Sequence, residues 1–252
     1  MPTREPVTFK PRDYHVSRTA FLESVFKDHA WKTLDIGNLG DGPVNVPVRE
    51  IVERNGGEYW GLDCNANLAK SLGLERQYTG DAHNLRGVIE DGMFDCVYYG
   101  EVIEHGWRPV DIIQECSRIL KPEGYIVLDT PNVYCLNNLL RYLVRGKDTL
   151  GLEDMNLSYQ EAKDDFASWR AAGNVLSQPQ HKILYSPAML RQLLNMQGFD
   201  VLRTAFIGKP VSLLRRLGYA MFPQCSEKIG IVAKKSDLES IFGVDLPARG
   251  SV

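Results

Sequence analysis

Short apolar runs that end in turn residues alternate with helical repeats from Trp31 onward, and this alternation restricts the fold more than any other feature of the chain. Trp31–Ile36 is a strand pattern closed by a glycine-rich turn, and Val46–Arg54 reads as the helix behind it. Glu58–Leu62 is the next strand, ending at Asp63, and a short helix over Asn67–Leu72 leads to a strand at Gln77–Thr79. Phe94–Tyr99, an amphipathic helix Val110–Leu120 and the strand Gly124–Leu128 follow, closing at Thr130-Pro131-Asn132. Strands joined through helices are not hairpins. They build βαβ units, hence an α/β fold with a mostly parallel sheet and helices on both faces.

The flanks read differently. Residues 1–12 are polar and carry three prolines, whereas 13–29 place Val16, Ala20, Phe21, Val25 and Phe26 at helical spacing, so 1–29 is expected to be an arm and a helix. Leu136–Val144 reads as a helix with basic flanks, among them Arg141, Arg145 and Lys147. Residues 147–180 are polar and acidic, with a candidate helix near Tyr159–Ala171; so long a segment between sheet elements is a functional lid or is disordered. Pro187–Gln197 is a helix, and strands Asp200–Phe206 and Lys228–Ala233 complete the sheet, with an apolar and basic helical stretch, Pro210–Pro223, between them. The reading is one domain: residues 30–132 as a ligand-binding half, 133–185 as an insertion on its open side, 186–235 completing the sheet and 236–252 as a tail.

Composition narrows the function classes. A chain of 252 residues buries roughly 70–75% of its unfolded surface and needs no staple to fold. The net charge of -3 argues against wrapping of long nucleic acid. Cys64, Cys96, Cys116, Cys135 and Cys225 are odd in number and lack C-x-x-C spacing, which disfavours a disulfide framework or zinc cluster and suits a reducing cytoplasm. No apolar run reaches the ~20 residues of a spanning helix, and MPTREPVTFKPRDYH has no apolar core of a secretion signal.

The turn Leu34-Asp35-Ile36-Gly37-Asn38-Leu39-Gly40-Asp41-Gly42 joins a buried strand to a helix, as in doubly wound sheets that hold nucleotide-type cofactors. Its spacing is G-x-x-G-x-G, not the G-x-G-x-x-G of a dinucleotide site, which counts against a nicotinamide dehydrogenase. Asp35, two residues before the first glycine, would repel a pyrophosphate and favour a cation such as the ammonium and sulfonium of S-adenosylmethionine. Asp63 ends the second strand, where a carboxylate can accept from both ribose hydroxyls. Gly80-Asp81-Ala82 ends the third, where Asp81 could hold an adenine amino group and Ala82 leaves room for the ring. Singly each acid could be a helix cap or turn residue. Three acidic strand ends at one sheet edge are far more specific.

With LDIGNLGDG, GLDCN, GDAHNL, FDCVYYGEVIEH, ILKPEGYIVLDTPN and HKILYSPAMLRQLLNMQGF, the chain resembles the class I S-adenosylmethionine-dependent methyltransferases over about residues 30–235. Phe94–Asn132 is most similar to the ubiquinone-biosynthesis-type O-methyltransferases and their small-molecule and glycan-modifying relatives. The resemblance implies a Rossmann-like seven-stranded sheet with an antiparallel last strand. It implies S-adenosylmethionine held by Asp35, Gly37, Asn38, Gly40, Asp63, Cys64, Asp81, Ala82, Tyr99 and Gly100, and O-methylation of a small molecule, sugar or glycan. Leu39 and Asp41 stand where the family usually has glycines, and Glu123 where it has a second turn glycine.

Glu101-Val102-Ile103-Glu104-His105 follows the fourth strand. On a helical turn Glu101, Glu104 and His105 would share one side, at i, i+3 and i+4, and could ligate a divalent cation such as magnesium that activates an acceptor hydroxyl. In the resemblance, small-RNA 2′-O-methyltransferases share E-x-x-E-H and add a later histidine, for which His181 is the counterpart. Without a metal, Glu101 would contact the cofactor, and His105 and Glu104 would shape the acceptor pocket. The catalytic candidates are therefore His105, Glu101 and His181. Asn132 is a further candidate to face the acceptor, Trp107 reads as core, and His15, His29 and His83 read as surface or capping residues. A metal-dependent RNA methyltransferase and a non-catalytic S-adenosylmethionine-binding protein are the alternatives; few basic residues outside 141–147 and 215–216 support the former.

Overall fold

The computed structural model describes residues 12–39, 46–145, 183–208, 217–219 and 221–236. In chain order the elements are β1 (Arg12–Val16), α1 (Arg18–Phe26), β2 (Lys32–Ile36), α2 (Val46–Arg54), β3 (Glu58–Asp63), α3 (Ala66–Ser71), β4 (Gln77–Thr79) and β5 (Phe94–Gly100). A 3-10 turn at Ile103–His105 precedes α4 (Pro109–Ile119), β6 (Leu120–Pro131) and α5 (Leu136–Arg145). Then come α6 (Pro187–Met196), β7 (Phe199–Ile207), a second 3-10 turn at Pro223–Cys225 and β8 (Lys228–Lys235). Two helix starts are set by serine caps: Ser17 Oγ accepts from the Ala20 N–H at 3.1 Å and Ser186 Oγ from the Met189 N–H at 3.2 Å.

All strands form one sheet in the order β1-β7-β8-β6-β5-β2-β3-β4, parallel except β8, which runs antiparallel to both β6 and β7. This is the expected Rossmann-like arrangement with one addition. The residues at the start of the expected N-terminal helix, up to Val16, are instead β1, an eighth strand pairing parallel with β7 at the sheet edge. The helix itself begins only after Ser17. Residues 121–124 lie inside β6, where Glu123, standing at a usual family glycine, takes the left-handed φ of 60° that a glycine would adopt without strain.

Because helices cover both faces, the central strands are buried on both sides. Leu34, Leu62, Val97, Ile126 and Ile231 pack under α4 and α6 through Ile112, Ile113, Cys116, Leu190 and Leu194. Tyr59, Cys96, Tyr98 and Val127 pack under α1 and α2 through Phe21, Leu22, Val25, Phe26, Ile51 and Val52. Among the described residues no helix is long and apolar enough to cross a membrane. Gly40 to Gly42, the candidate helix Tyr159–Ala171, His181 and most of Pro210–Pro223 lie outside the described residues.

Candidate active site

β2 has β3 on one side and β5 on the other, so the strand order reverses at β2 and a crevice opens beyond the carboxyl ends of β2 and β5. Two turns meet there. Gly37 has φ 75° and donates its N–H to the Leu62 carbonyl at 2.8 Å. Val102 lies so close that any Cβ on Gly37 would overlap it, so both the dihedral and the approach require glycine. Glu101, which starts the turn after β5, also lies in the left-handed region, at φ 54°, and donates its N–H to the Asp129 carbonyl at 2.7 Å.

On the β3 side, Asp63 accepts from the Leu39 N–H at 3.2 Å through Oδ2 and from the Asn65 N–H at 2.8 Å through Oδ1. Each oxygen keeps lone-pair capacity, so the carboxylate is oriented without being used up. Asn38, expected to touch the cofactor, is 2% exposed and joined to Gln77 in a reciprocal amide pair of 2.9 and 3.0 Å. It fastens the glycine turn to β4. Gly61 makes room for that pair, since a Cβ there would run into both amides. Half-buried Cys64 has its thiol pushed up to about 11 by burial and the Asp63 charge. Asp81 and His83 form a pair that the spacing did not reveal: Asp81 Oδ1 accepts from His83 Nδ1 at 2.6 Å and from its backbone N–H at 2.9 Å. Burial alone would raise the Asp81 carboxyl, but His83 outweighs it and holds it below the usual range. Ala82 is partly buried beside this pair.

A polar network runs under α1. Asp35 is 1% exposed and accepts from the Tyr59 hydroxyl at 2.8 Å; burial pushes its carboxyl up to about 7 against that hydrogen bond and the charge of Arg18. Its side chain thus lies on the α1–α2 face of the sheet and is not displayed on the glycine turn. Tyr98 donates to Asp129 Oδ2 at 2.5 Å, and Arg18 donates to Asp129 Oδ2 at 3.1 Å and to the Tyr98 hydroxyl at 2.7 Å. Burial raises the Asp129 carboxyl as well. A Cβ on Gly100 would strike Tyr98 and Arg18, so this glycine accommodates the network. Tyr99, expected to line the cofactor, is 1% exposed and belongs to the core on the α4 side.

The acceptor side is built by the 103–105 turn. Glu104 is 1% exposed, and Thr130 donates its hydroxyl to Glu104 Oε2 at 2.8 Å; burial pushes the carboxyl up to about 7. His105 Nε2 lies 4.0 Å from Glu104 Oε1. Glu101 forms an ion pair with Lys228, the first residue of β8, and its charge is among those that raise the Glu104 carboxyl. Among the described residues no three or more His, Cys, Asp or Glu side chains are placed to hold a metal ion. The i, i+3, i+4 alignment does not form because Glu101 stands outside the 3-10 turn. His181 lies outside the described residues; its segment begins at Ile183, whose N–H donates to the Glu104 carbonyl at 3.1 Å. Asn132 does not face an acceptor. It is 1% exposed, and its amide donates to the Gln224 and Ser226 carbonyls, each at 2.9 Å. Trp107 is 52% exposed and is not core.

Gln77, Tyr59, Arg18 and Lys228 were not singled out in the sequence. Only Tyr59 carried a signal, two residues before Gly61 and so on the same strand face as that partner of Asp35. The rest follow from strand register. The carboxyl edge of the sheet suits a nucleoside that carries a cation: it offers an oriented carboxylate at Asp63, a second at Asp81 and a partly exposed one at Glu101, whereas Asp35 and Asp129 are buried beneath it.

Known proteins resemble this chain in sequence and in fold. A family model described as a methyltransferase domain matches residues 34–128. A protein of Mycolicibacterium smegmatis named as a probable S-adenosylmethionine-dependent methyltransferase is 31% identical over 99 residues, 33% of this chain and 38% of that protein. A ubiquinone biosynthesis O-methyltransferase of Pectobacterium carotovorum is 28% identical over 108 residues, 40% of this chain and 43% of that protein. The chain spans less than half the length of these curated relatives. Among solved structures, a SAM-dependent methyltransferase from Archaeoglobus fulgidus superposes with a TM-score of 0.54 at 20% identity, covering 86% of this chain and 92% of that one. The protein therefore has the fold seen in S-adenosylmethionine-dependent methyltransferases, and its residues 34–128 match the methyltransferase-domain model.

Proposed function

We propose that the chain transfers a methyl group from S-adenosylmethionine to an oxygen of a small molecule, sugar or glycan. One observation carries the reading. The turn that bears His105 begins at Val102, and Val102 packs on Gly37, so a base and the glycine turn share one crevice. The ubiquinone O-methyltransferases among the relatives favour oxygen as the acceptor atom. When bound, S-adenosylmethionine supplies an electrophilic methyl on a sulfonium and leaves as S-adenosylhomocysteine.

The chain's own part is to bind, orient and remove a proton. Asp63 takes the ribose hydroxyls, and Asp81 and Ala82 border the adenine. The acids around the crevice favour a cationic donor over its neutral product. His105 accepts the acceptor's hydroxyl proton, and Glu104, held by Thr130, lies behind it to stabilise the imidazolium. Residues 133–185 and the N-terminal arm are the segments we assign to acceptor selection on sequence grounds; 1–11 and 146–182 lie outside the described residues.

Labelled S-adenosylmethionine incubated with acceptor pools, followed by mass analysis, tests the reading. His105→Gln should lower turnover by about 10²-fold or more while leaving S-adenosylhomocysteine affinity intact. Unchanged turnover would remove His105 as the base. Tight S-adenosylhomocysteine binding with no turnover on any pool would make the chain a binding protein.

A further inference from the structure

We propose that Lys228 recognises an anionic group on the acceptor, a carboxylate or a phosphate, and that Glu101 occupies it until the cofactor is in place. The proposal rests on reading the crevice as a methyltransferase site.

The root of Lys228 is fixed. It starts β8 opposite Pro131 of β6 and Ile207 of β7. The chain before it is fastened by Asn132, whose side chain donates to the Gln224 and Ser226 carbonyls and whose N–H donates to the Glu227 carbonyl at 2.9 Å. Its ammonium therefore stands at the carboxyl end of β6, beside the end of β5, and meets Glu101. Arg18, in the network under α1, is committed to Asp129 and Tyr98.

The Glu101–Lys228 pair is built for exchange. Its side chains are 36% and 31% exposed, so water competes for both ends and the pair contributes little stability. The backbone beneath it is in the left-handed region, with Glu101 at φ 54°. Glu101 precedes Val102, which packs on Gly37, and its carboxylate meets Lys228 at the start of β8, so a cofactor cation bound at the glycine turn would compete with Lys228 for it. With such a cation present, Glu101 can change partners at little cost, and Lys228 is left with a positive charge facing the acceptor space. Without Lys228, the carboxylates of Asp63 and Glu101 would repel an anionic acceptor. The exchange makes binding ordered, cofactor before acceptor.

The test uses sinefungin, which carries an amine where the donor carries its sulfonium, with benzoate and phenyl phosphate as probes, each followed by calorimetry on the full chain. The sinefungin-loaded protein should bind one of the two probes at least about ten-fold more tightly than the unloaded protein, the worth of one charge-assisted hydrogen bond. Which probe binds distinguishes carboxylate from phosphate. Lys228→Gln should lose this binding and Lys228→Arg, which keeps the charge on the same strand, should retain it. Glu101→Gln should bind the probe without sinefungin. Equal probe binding by loaded wild type and loaded Lys228→Gln, or binding of neither probe by loaded wild type, overturns the recognition role. A persistent need for sinefungin in Glu101→Gln overturns the exchange. Failure of wild type to bind sinefungin at all overturns the methyltransferase reading itself, and is seen in the first titration.

Discussion

Asp35→Asn tests the electrostatics of the crevice at its most buried point. The carboxyl is 1% exposed, accepts from Tyr59 and is pushed from its usual 3.8 up to about 7, chiefly by burial. A carboxyl with a raised folded-state pKa holds its proton more tightly when folded. Its contribution to stability is complete below about pH 4 and is lost as pH rises through about 7. Between those limits the wild type loses about 1.4 kcal/mol per pH unit through this group. Asparagine keeps the acceptor for Tyr59 and does not titrate, so the stability of the variant minus that of wild type should rise by about 3 kcal/mol between pH 5 and pH 8. Its unmatched amide hydrogens subtract about 1–3 kcal/mol at every pH, which moves the curve down without changing its slope. Glu104, also raised to about 7, is present in both proteins and cancels. Urea titrations of both proteins at half-unit pH steps give the difference directly. A difference flat to within about 0.5 kcal/mol over that range would show that Asp35 is not held protonated by burial, and the account of the α1-side network would fall with it.

Asp63→Ala should weaken S-adenosylhomocysteine binding by ~1–3 kcal/mol in calorimetry, because hydroxyls that it pairs would be left unmet; unchanged affinity removes its ribose role. Gly61→Ala should destabilise the protein by about 1–3 kcal/mol, since its methyl displaces the Asn38–Gln77 pair; a thermal melt superimposable on wild type would refute this. Deleting residues 150–175 should abolish methyl transfer and spare cofactor affinity, whereas equal loss of both would place that segment in the fold and not on the acceptor side.

The elements that could be read in advance were those whose signal is local. β2, β3 and β5 announce themselves as apolar runs closed by Gly37, Asp63 and Gly100, and the helices between them by their repeat. β1 could not be read this way, because Arg12 pairs with Thr204, and a five-residue edge strand beside a helix carries no pattern of its own. The site divides likewise. Asp63 and Asp81 stood out because strand ends in a parallel sheet share an edge. Their partners did not: Gln77 meets Asn38, His83 turns back on Asp81, and Lys228 crosses to Glu101 only once β8 has taken its register.

By itself the sequence determined a mostly parallel α/β sheet and an acidic carboxyl edge, since periodicity and turn chemistry act over a few residues, whereas the reversal of strand order at β2 came from the pairing of the strands. Only the tertiary structure decided which acids remain in water. Asp35, Glu104 and Asp129 are buried and raised, Asp81 is held low by His83, and Glu101 pairs with Lys228. Desolvation and charge pairing depend on what covers a side chain, and here the cover arrives from strands and helices distant in the chain.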